Sequence, residues 1–279
     1  MSRLRIASFN ANSIRSRLDV ILDWIARNDC DVLCVQETKV TDEQFPSMAF
    51  AEAGLQVVFT GQKSYNGVAI ITRDQPSDIH IGYGNETYDQ EARILRANVR
   101  GVTVVNTYVP QGTDPSSPRF RYKLDWIMGL RDSYFPRDLT PDDPIVWCGD
   151  FNVAPEPIDV HDPEGLLGSV CYHPDEHRAL SYTRDWGFVD VFRKHHPGEA
   201  GLYTFWDYRV PNAFKRRMGW RIDHIYATVP LAEISTDAWI DTEPRQMDKP
   251  SDHTFIVADF MFRDLTPDTP KADSSLRSE

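Results

Sequence analysis

Long apolar runs are missing from this 279-residue chain. No stretch approaches the roughly 20 consecutive apolar residues that a membrane-spanning helix needs. The opening MSRLRIASFN enters alternating strand-like sequence at once, with no charged segment leading into an apolar one, so no secretory signal is expected. Cysteine is scarce: Cys30, Cys34, Cys148 and Cys171 are the only four, and none forms a CxxC pair. Three of them sit in or beside apolar runs, which suits reduced core thiols and a cytoplasmic setting. No internal repeat is visible. Positive charge is in deficit, with 30 Lys+Arg against 42 Asp+Glu, a net charge of −12 and a pI near 5.1. Taken alone, that balance argues against a polyanionic partner, which normally leaves a basic footprint.

What basic charge there is comes in runs. Residues 209–221, RVPNAFKRRMGWR, hold Arg209, Lys215, Arg216, Arg217 and Arg221 without an acid, and residues 119–123, RFRYK, add Arg119, Arg121 and Lys123. Such runs are usually solvated faces. The interleaved aromatics Phe120, Tyr122, Phe214 and Trp220 point instead to a phosphate-facing surface. Both readings stay open at this point.

Hydrophobic content of 41% leaves ample material for a core. Segments rich in Val, Ile and aromatics and bounded by Gly, Pro or Asp read as strands: LRIASFN, DVLCVQE, LQVVFTG, GVAIIT, ARILRANV, VTVVNTYV, PIVWCGDFNV, FVDVF, LYTFWDY, RIDHIYAT, DAWID and TFIVADFMF. Helices are expected over 16–27, opened by a capping-box-like Ser16 and Asp19 and carrying Leu18, Ile21, Leu22 and Ile25 on one face. Two more are expected over 117–131 and 174–186. Strands dominating, with helices between groups of them, predict an α/β chain of two packed mixed β-sheets flanked by helices, a four-layer sandwich. The Pro/Asp-rich stretch 136–144 reads as a surface connection between two similar halves, and 154–178 as a loop-rich insertion. One domain is expected over 1–262. Residues 263–279, nearly devoid of apolar side chains, are expected to be disordered.

The strand ends carry the chemistry. ASFNANSIR ends a strand on Asn10 and Asn12, VLCVQETK on Glu37, and IVWCGDFN on Asp150 and Asn152. WRIDHIY sets Asp223 inside a strand, and KPSDHTFIV sets Asp252 and His253 at the entrance to the last one. Polar groups buried unpaired beside apolar residues cost on the order of several kcal/mol each. They must therefore satisfy one another, hold a metal or face a cleft. Asn10, Glu37, Asp150, Asn152, Asp223, Asp252 and His253 make an oxygen-rich set with a single imidazole, which selects Mg²⁺, with Mn²⁺ able to substitute, over zinc. Cys171, His173 and His177 offer a zinc alternative, but their spacing fits no strong signature.

SFNANSIR, QETK, YNGVAI, YVPQG, GDFNVAP, YTFWDYR, WRIDHIY and KPSDH, from about residue 3 to residue 260, resemble in order the exonuclease III-type DNA-repair nucleases, or apurinic/apyrimidinic endonucleases. GDFN and SDH recur across a wider superfamily of Mg²⁺ phosphodiesterases, whereas QETK, YVPQG, FWDYR and RIDHI together are specific. The resemblance implies a Mg²⁺-dependent phosphodiesterase that cleaves duplex DNA 5′ to abasic sites and trims 3′ ends as exonuclease or phosphatase. It implies Glu37 as the principal metal ligand with Asn10, Asn12 and Asp252 nearby, and Asp150, held by Asn152, beside the attacking water. His253, paired with Asp223, and Tyr108 would hold the target phosphate. Phe205, Trp220 and Ile222 would form an apolar pocket for a base-less sugar, with Gln111 and Arg209 reaching into the DNA. Implied partners are duplex DNA with abasic sites or blocked 3′ ends, with no membrane and a monomeric protein.

The chain departs from that pattern in three places. Ser13 and Ala92 stand where glycine is usual, and His173 occupies a helix start on the DNA side, where it would contact a terminal phosphate or remain a solvated loop residue. Two other readings keep the scaffold: a phosphodiesterase acting on a non-DNA substrate such as an inositol phosphodiester, and a non-catalytic nucleic-acid-binding regulator. The regulator should have lost metal or base residues. The acidic net charge predicts weak non-specific DNA affinity and strong salt dependence.

Overall fold

The apolar runs pair side by side into twelve strands in this computed structural model, which describes residues 2–262. The expected tail 263–279 lies outside the described residues. In chain order the first six strands are β1 (Ser2–Asn10), β2 (Val32–Gln36), β3 (Gln56–Thr60), β4 (Val68–Thr72), β5 (Ser77–Ile81) and β6 (Ile94–Val99). The others are β7 (Val102–Tyr108), β8 (Ile145–Asp150), β9 (Phe188–Asp190), β10 (Asp223–Thr228), β11 (Ser235–Asp241) and β12 (Phe255–Phe262). They form two six-stranded mixed sheets, ordered β11-β12-β1-β2-β4-β3 and β5-β6-β7-β8-β10-β9. Each sheet has one parallel pair near its middle, β1 with β2 and β7 with β8, and antiparallel partners elsewhere.

A parallel pair needs a crossover, and a helix supplies it in both cases. Helix α1 (Leu18–Asn28) connects β1 to β2; α2 (Ser47–Glu52) follows β2; α3 (Pro118–Gly129), continued by a π-helical turn and α4 (Phe135–Asp138), connects β7 to β8. Next come α5 (Pro163–Leu166), α6 (Pro174–Arg184), α7 (Val191–His195) and α8 (Val229–Glu233). Strands covered on both faces read as unbroken apolar runs, since both sides of the pleat are buried. Ile6, Cys34 and Ile70 meet Leu95, Val104 and Cys148 between the sheets. Ala7, Phe9 and Val35 face Ile21, Trp24 and Ile25 of α1, while Val105 and Trp147 face Phe120, Leu124 and Ile127 of α3. This is the expected four-layer sandwich.

Several local expectations change. Ser16 does not cap α1: the cap position is Arg17 with no side-chain bond, and Ser16 pairs with Ser13 instead. Ser117 does cap α3, accepting from the Phe120 amide. LYTFWDY is not a strand; Phe205 makes only single bridges, to Trp220 and His253, because the segment crosses the rim of the sandwich instead of joining a ladder. FVDVF splits after Asp190, whose side chain caps α7. The unforeseen β5 is an exposed edge strand without a buried face. Stretch 136–144 lies within the β7–β8 crossover and therefore does not separate two halves. The 154–178 insertion is a packed wall, in which Asp159 and Glu176 are fully buried and Val160 bridges Trp220.

The two basic runs also lose much of their charge. In 119–123, Arg119 pairs with Glu91, Arg121 with Asp125, and Lys123 is buried against Glu176. In 209–221, Arg209 pairs with Asp207, and Arg221 is buried between Asp159 and Asp190. Lys215, Arg216 and Arg217 remain exposed.

Candidate active site

Strand direction brings the polar ends together. In the parallel pairs, Asn10 lies opposite Gln36, one residue before Glu37, and Tyr108 lies opposite Asp150. Antiparallel β10 and β12 begin where those strands end, so Asp223 faces Asp150 across the ladder and the Ser251–His253 turn arrives at the same rim. The rim holds a cavity of about 340 Å³ lined by Glu37, Tyr108, Gln111, Asp150, Asn152, Phe205, Arg209, Trp220, Ile222, Asp252 and His253. Asn10, Asn12 and Asp223 stand directly behind that lining. Val170 and Asp207, which were not singled out in the sequence, also line it, as does Cys171, read there only as part of a zinc alternative.

Buried Asn10 is the hub. Its Nδ2 donates to Glu37 Oε1 and Asp150 Oδ2, both at 2.9 Å, and its Oδ1 accepts from the Asn12 amide at 2.9 Å. Asn12 donates to Asp252 Oδ1 at 3.0 Å. Lys39, two residues beyond Glu37 in QETK, places its ammonium 2.7 Å from Glu37 Oε2 and also donates to Asn12 Oδ1. Burial alone would push the Glu37 carboxyl up; Lys39, the Asn10 amide and His253 outweigh it and hold Glu37 below the usual carboxylate value.

Asp150 is anchored by the Asn152 backbone amide, which donates to its Oδ1 at 2.9 Å. The Asn152 side chain instead donates to Val109 O and presents its oxygen toward Cys171 Sγ, 3.8 Å away. Asn12, Ser13, Glu37 and Asn152 all have positive φ, at 46°, 101°, 52° and 51°. This clusters left-handed backbone at the rim, where asparagine tolerates it best. Ser13 thus adopts unaided the region that glycine usually supplies, whereas Ala92 stays outside it.

His253 Nδ1 lies 2.8 Å from Asp223 Oδ2, and its Nε2 is 3.8 Å from Asp150 Oδ2. Burial disfavours the imidazolium, but Asp223 and Asp150 outweigh it and raise the His253 pKa to about 10. Burial likewise pushes Asp150 up to about 7, against the lowering effect of His253. The Tyr108 hydroxyl is pushed well above its ordinary value by burial and then by the Glu37 and Asp150 charges, so it remains a donor. Arg93 stacks 4.7 Å over its ring.

On the opposite wall the Phe205 ring lies 4.8 Å from the His253 ring, Phe205 bridges Trp220, and Ile222 is buried beside them. Gln111 turns its side-chain oxygen to the Thr113 amide, and exposed Arg209 folds back on Asp207. His173 lies at the expected helix start, but it is not a solvated loop residue. Its Nδ1 accepts from the Asp175 amide as the N-cap of α6, and its ring rests on Phe120. Among the described residues, Cys171, His173 and His177 do not converge as a group that could hold a zinc ion.

Among the described residues, Asp150, Asp223 and His253 form a group whose ligand-type atoms all lie within 4.8 Å. A histidine that is cationic and bonded to a carboxylate is a poor metal ligand. The Glu37 side answers better: hard oxygens from Glu37, Asn10, Asn12 and Asp252, no sulfur, and a cation already drawn to it in the Lys39 ammonium. The donor set fits a hard divalent ion.

Two face-packed mixed sheets with an acidic and imidazole cluster at one rim match a known group of hydrolases. Residues 7–253 match the Endonuclease/Exonuclease/phosphatase family. Exodeoxyribonuclease III of Haemophilus influenzae is 32% identical over 272 residues, covering 92% of this chain and all of that protein. A solved AP endonuclease from Archaeoglobus fulgidus is 48% identical with a TM-score of 0.89, covering 93% of this chain and 100% of the other. A Neisseria 3′ phosphatase, solved with a product DNA hairpin, is 36% identical with the same TM-score of 0.89 and the same coverage of both chains. The chain is an enzyme of the endonuclease/exonuclease/phosphatase family and belongs to its exonuclease III/AP endonuclease branch.

Proposed function

We propose that the chain is a Mg²⁺-dependent DNA-repair phosphodiesterase that incises duplex DNA 5′ to abasic sites, with 3′–5′ exonuclease and 3′-end phosphatase activity at the same cavity. The carrying observation is the placement of an apolar wall, Phe205, Trp220 and Ile222, against the charged rim of Asp150 and His253. Phosphate chemistry needs the charged side, and a base-less deoxyribose suits the apolar one. A nucleotide lacking its base is cheap to extrude, and a pocket without room for a base selects for it. The AP endonuclease and the 3′ phosphatase among the structural relatives support both halves of the reading.

In this reading Glu37 holds the metal, with Asn10, Asn12 and Asp252 beside it; when bound, the metal supplies Lewis-acid stabilisation of charge on the phosphate and on the leaving 3′ oxygen. Asp150, fixed by Asn10 and the Asn152 amide, takes the proton of the attacking water at Oδ2. His253, held cationic by Asp223, and the protonated Tyr108 donate to the phosphate oxygens, where negative charge builds. Gln111 and Arg209 reach toward the DNA once Arg209 leaves Asp207. One domain over 1–262 carries the reaction as a monomer. Four free buried cysteines support a cytoplasmic protein, and no helix among the described residues is long and apolar enough to cross a membrane. The test is incision of a duplex bearing one abasic analogue against the same duplex with a normal base. Selective incision 5′ to the analogue supports the reading, and equal cleavage of both removes the role assigned to the pocket.

A further inference from the structure

Beneath the cavity lies an ion pair that the chemistry above does not use. Lys123 of α3 and Glu176 of α6 are both completely buried. The ammonium has three donors, and all are spent: on Gln111 O at 3.1 Å, on Asn152 O at 2.7 Å and on Glu176 Oε1. Glu176 in turn accepts from the Cys171 amide at 3.1 Å and the His173 amide at 3.0 Å. Gln111, Asn152 and Cys171 each line the cavity, and they arrive from three different connections. Two of them hold strained backbone, with φ of 51° at Asn152 and 72° at Cys171. A buried ion pair is a poor way to gain stability, since the lost hydration usually cancels the attraction. A pair whose remaining bonds all go to backbone, three of the four to residues of the cavity wall and the fourth to His173, has geometry as its product.

We infer that the Lys123–Glu176 pair is a positioning device for the reaction, fixing the backbone of Gln111, Asn152 and Cys171 so that Asp150 and the pocket wall stand in register with the phosphate. The link to Asp150 runs through a single residue: Lys123 holds the Asn152 carbonyl, and the N–H on the other side of the Asn152 Cα donates to Asp150 Oδ1. The inference rests on the cavity being the reaction site. A displacement of about 1 Å in such a scaffold can cost ~100-fold in rate.

The test is the double substitution Lys123→Met with Glu176→Gln, which removes both charges at nearly constant volume and leaves neither one buried alone. Three quantities are read: the circular dichroism melt, kcat and KM on an abasic-analogue duplex, and the rate at which each cysteine reacts with a thiol reagent. Cys171 is a built-in reporter, as it lines the cavity and its amide is held by Glu176. Expected are a cooperative melt, a kcat lower by about 10- to 100-fold with KM changed less than about threefold, and faster modification of Cys171 alone. Cys30, Cys34 and Cys148, packed in the cores, should stay protected.

An unchanged kcat, or a Cys171 as protected as in the unsubstituted protein, overturns the inference. So does simultaneous exposure of all four thiols, which would make the pair a general stability element. If the unsubstituted protein cleaves nothing, the reading of the cavity has failed, and the thiol rates still decide whether the pair fixes the wall.

Discussion

At the scale of single residues, the account rests on charges placed against one another. Glu37 is held below its usual pKa at the rim, with a cation already beside it. Glu37→Ala should lower Mg²⁺-dependent kcat by ~100-fold or more while leaving the fold intact, as paired melts and turnover measurements would show. The Asp223–His253 pair makes a pH prediction. Asp223 raises the His253 pKa to about 10, so Asp223→Asn should lower it and bring the alkaline fall in kcat/KM to a lower pH. A profile whose alkaline limb does not move would remove the cationic role of His253. The linkage has the same sign: the His253 pKa is raised above its ordinary 6.5, so its contribution to stability is whole below that value and is lost as pH rises through about 10. At this scale the sequence was most legible. Polar residues closing apolar runs cannot be left unpaired, which is why Asn10, Glu37, Asp150 and His253 stood out. Lys39 and Asp207 escaped because lysine and aspartate at such positions have ordinary surface uses, and only the third dimension sets them at the site.

At the scale of elements, the site depends on strand register. Tyr108 and Asp150 meet because β7 and β8 run parallel with Thr107 opposite Gly149. Gly149 has a φ of 139°, and a Cβ there would lie 1.9 Å from Thr107 O. Gly149→Ala should therefore destabilise by on the order of 2–3 kcal/mol, seen as a Tm lower by about 5–10 °C, and should reduce turnover by shifting Asp150 from Tyr108. A neutral substitution would mean that the ladder is not what aligns them. The buried strands and the helices at 118–129 and 174–184 could be read from apolar runs and periodicity. The misreadings share a cause. LYTFWDY is rich in aromatics because Phe205 lines the cavity while Tyr203 and Trp206 form a small core with Ala213, and the rule linking aromatics to strands cannot tell that from a sheet. β5, exposed at an edge, has the opposite problem: Ile79 and Ile81 are its only apolar residues and neither is buried.

At the scale of the whole molecule, net charge misleads in both directions. The chain carries −12, yet an exposed basic run survives, and that run is smaller than its sequence suggests. Arg221, Lys123 and three other basic groups are tied up by acids, a fact no linear pattern reveals. In the proposed function, Lys215, Arg216 and Arg217 are the exposed cations of that run left to meet the DNA backbone. Replacing the three by Gln should weaken duplex binding and reduce the slope of log K against log salt by up to about 0.9 per lost phosphate contact. An unchanged slope would place the DNA on another face. The central claim is that one metal-dependent site serves the abasic lesion. It is tested most directly by incubating a labelled duplex carrying a single abasic analogue with the protein in Mg²⁺, in chelator, and as Glu37→Ala. The account predicts a single incision 5′ to the analogue in Mg²⁺ and none in the other two; incision that survives chelation, or duplex binding without any incision in Mg²⁺, would contradict it.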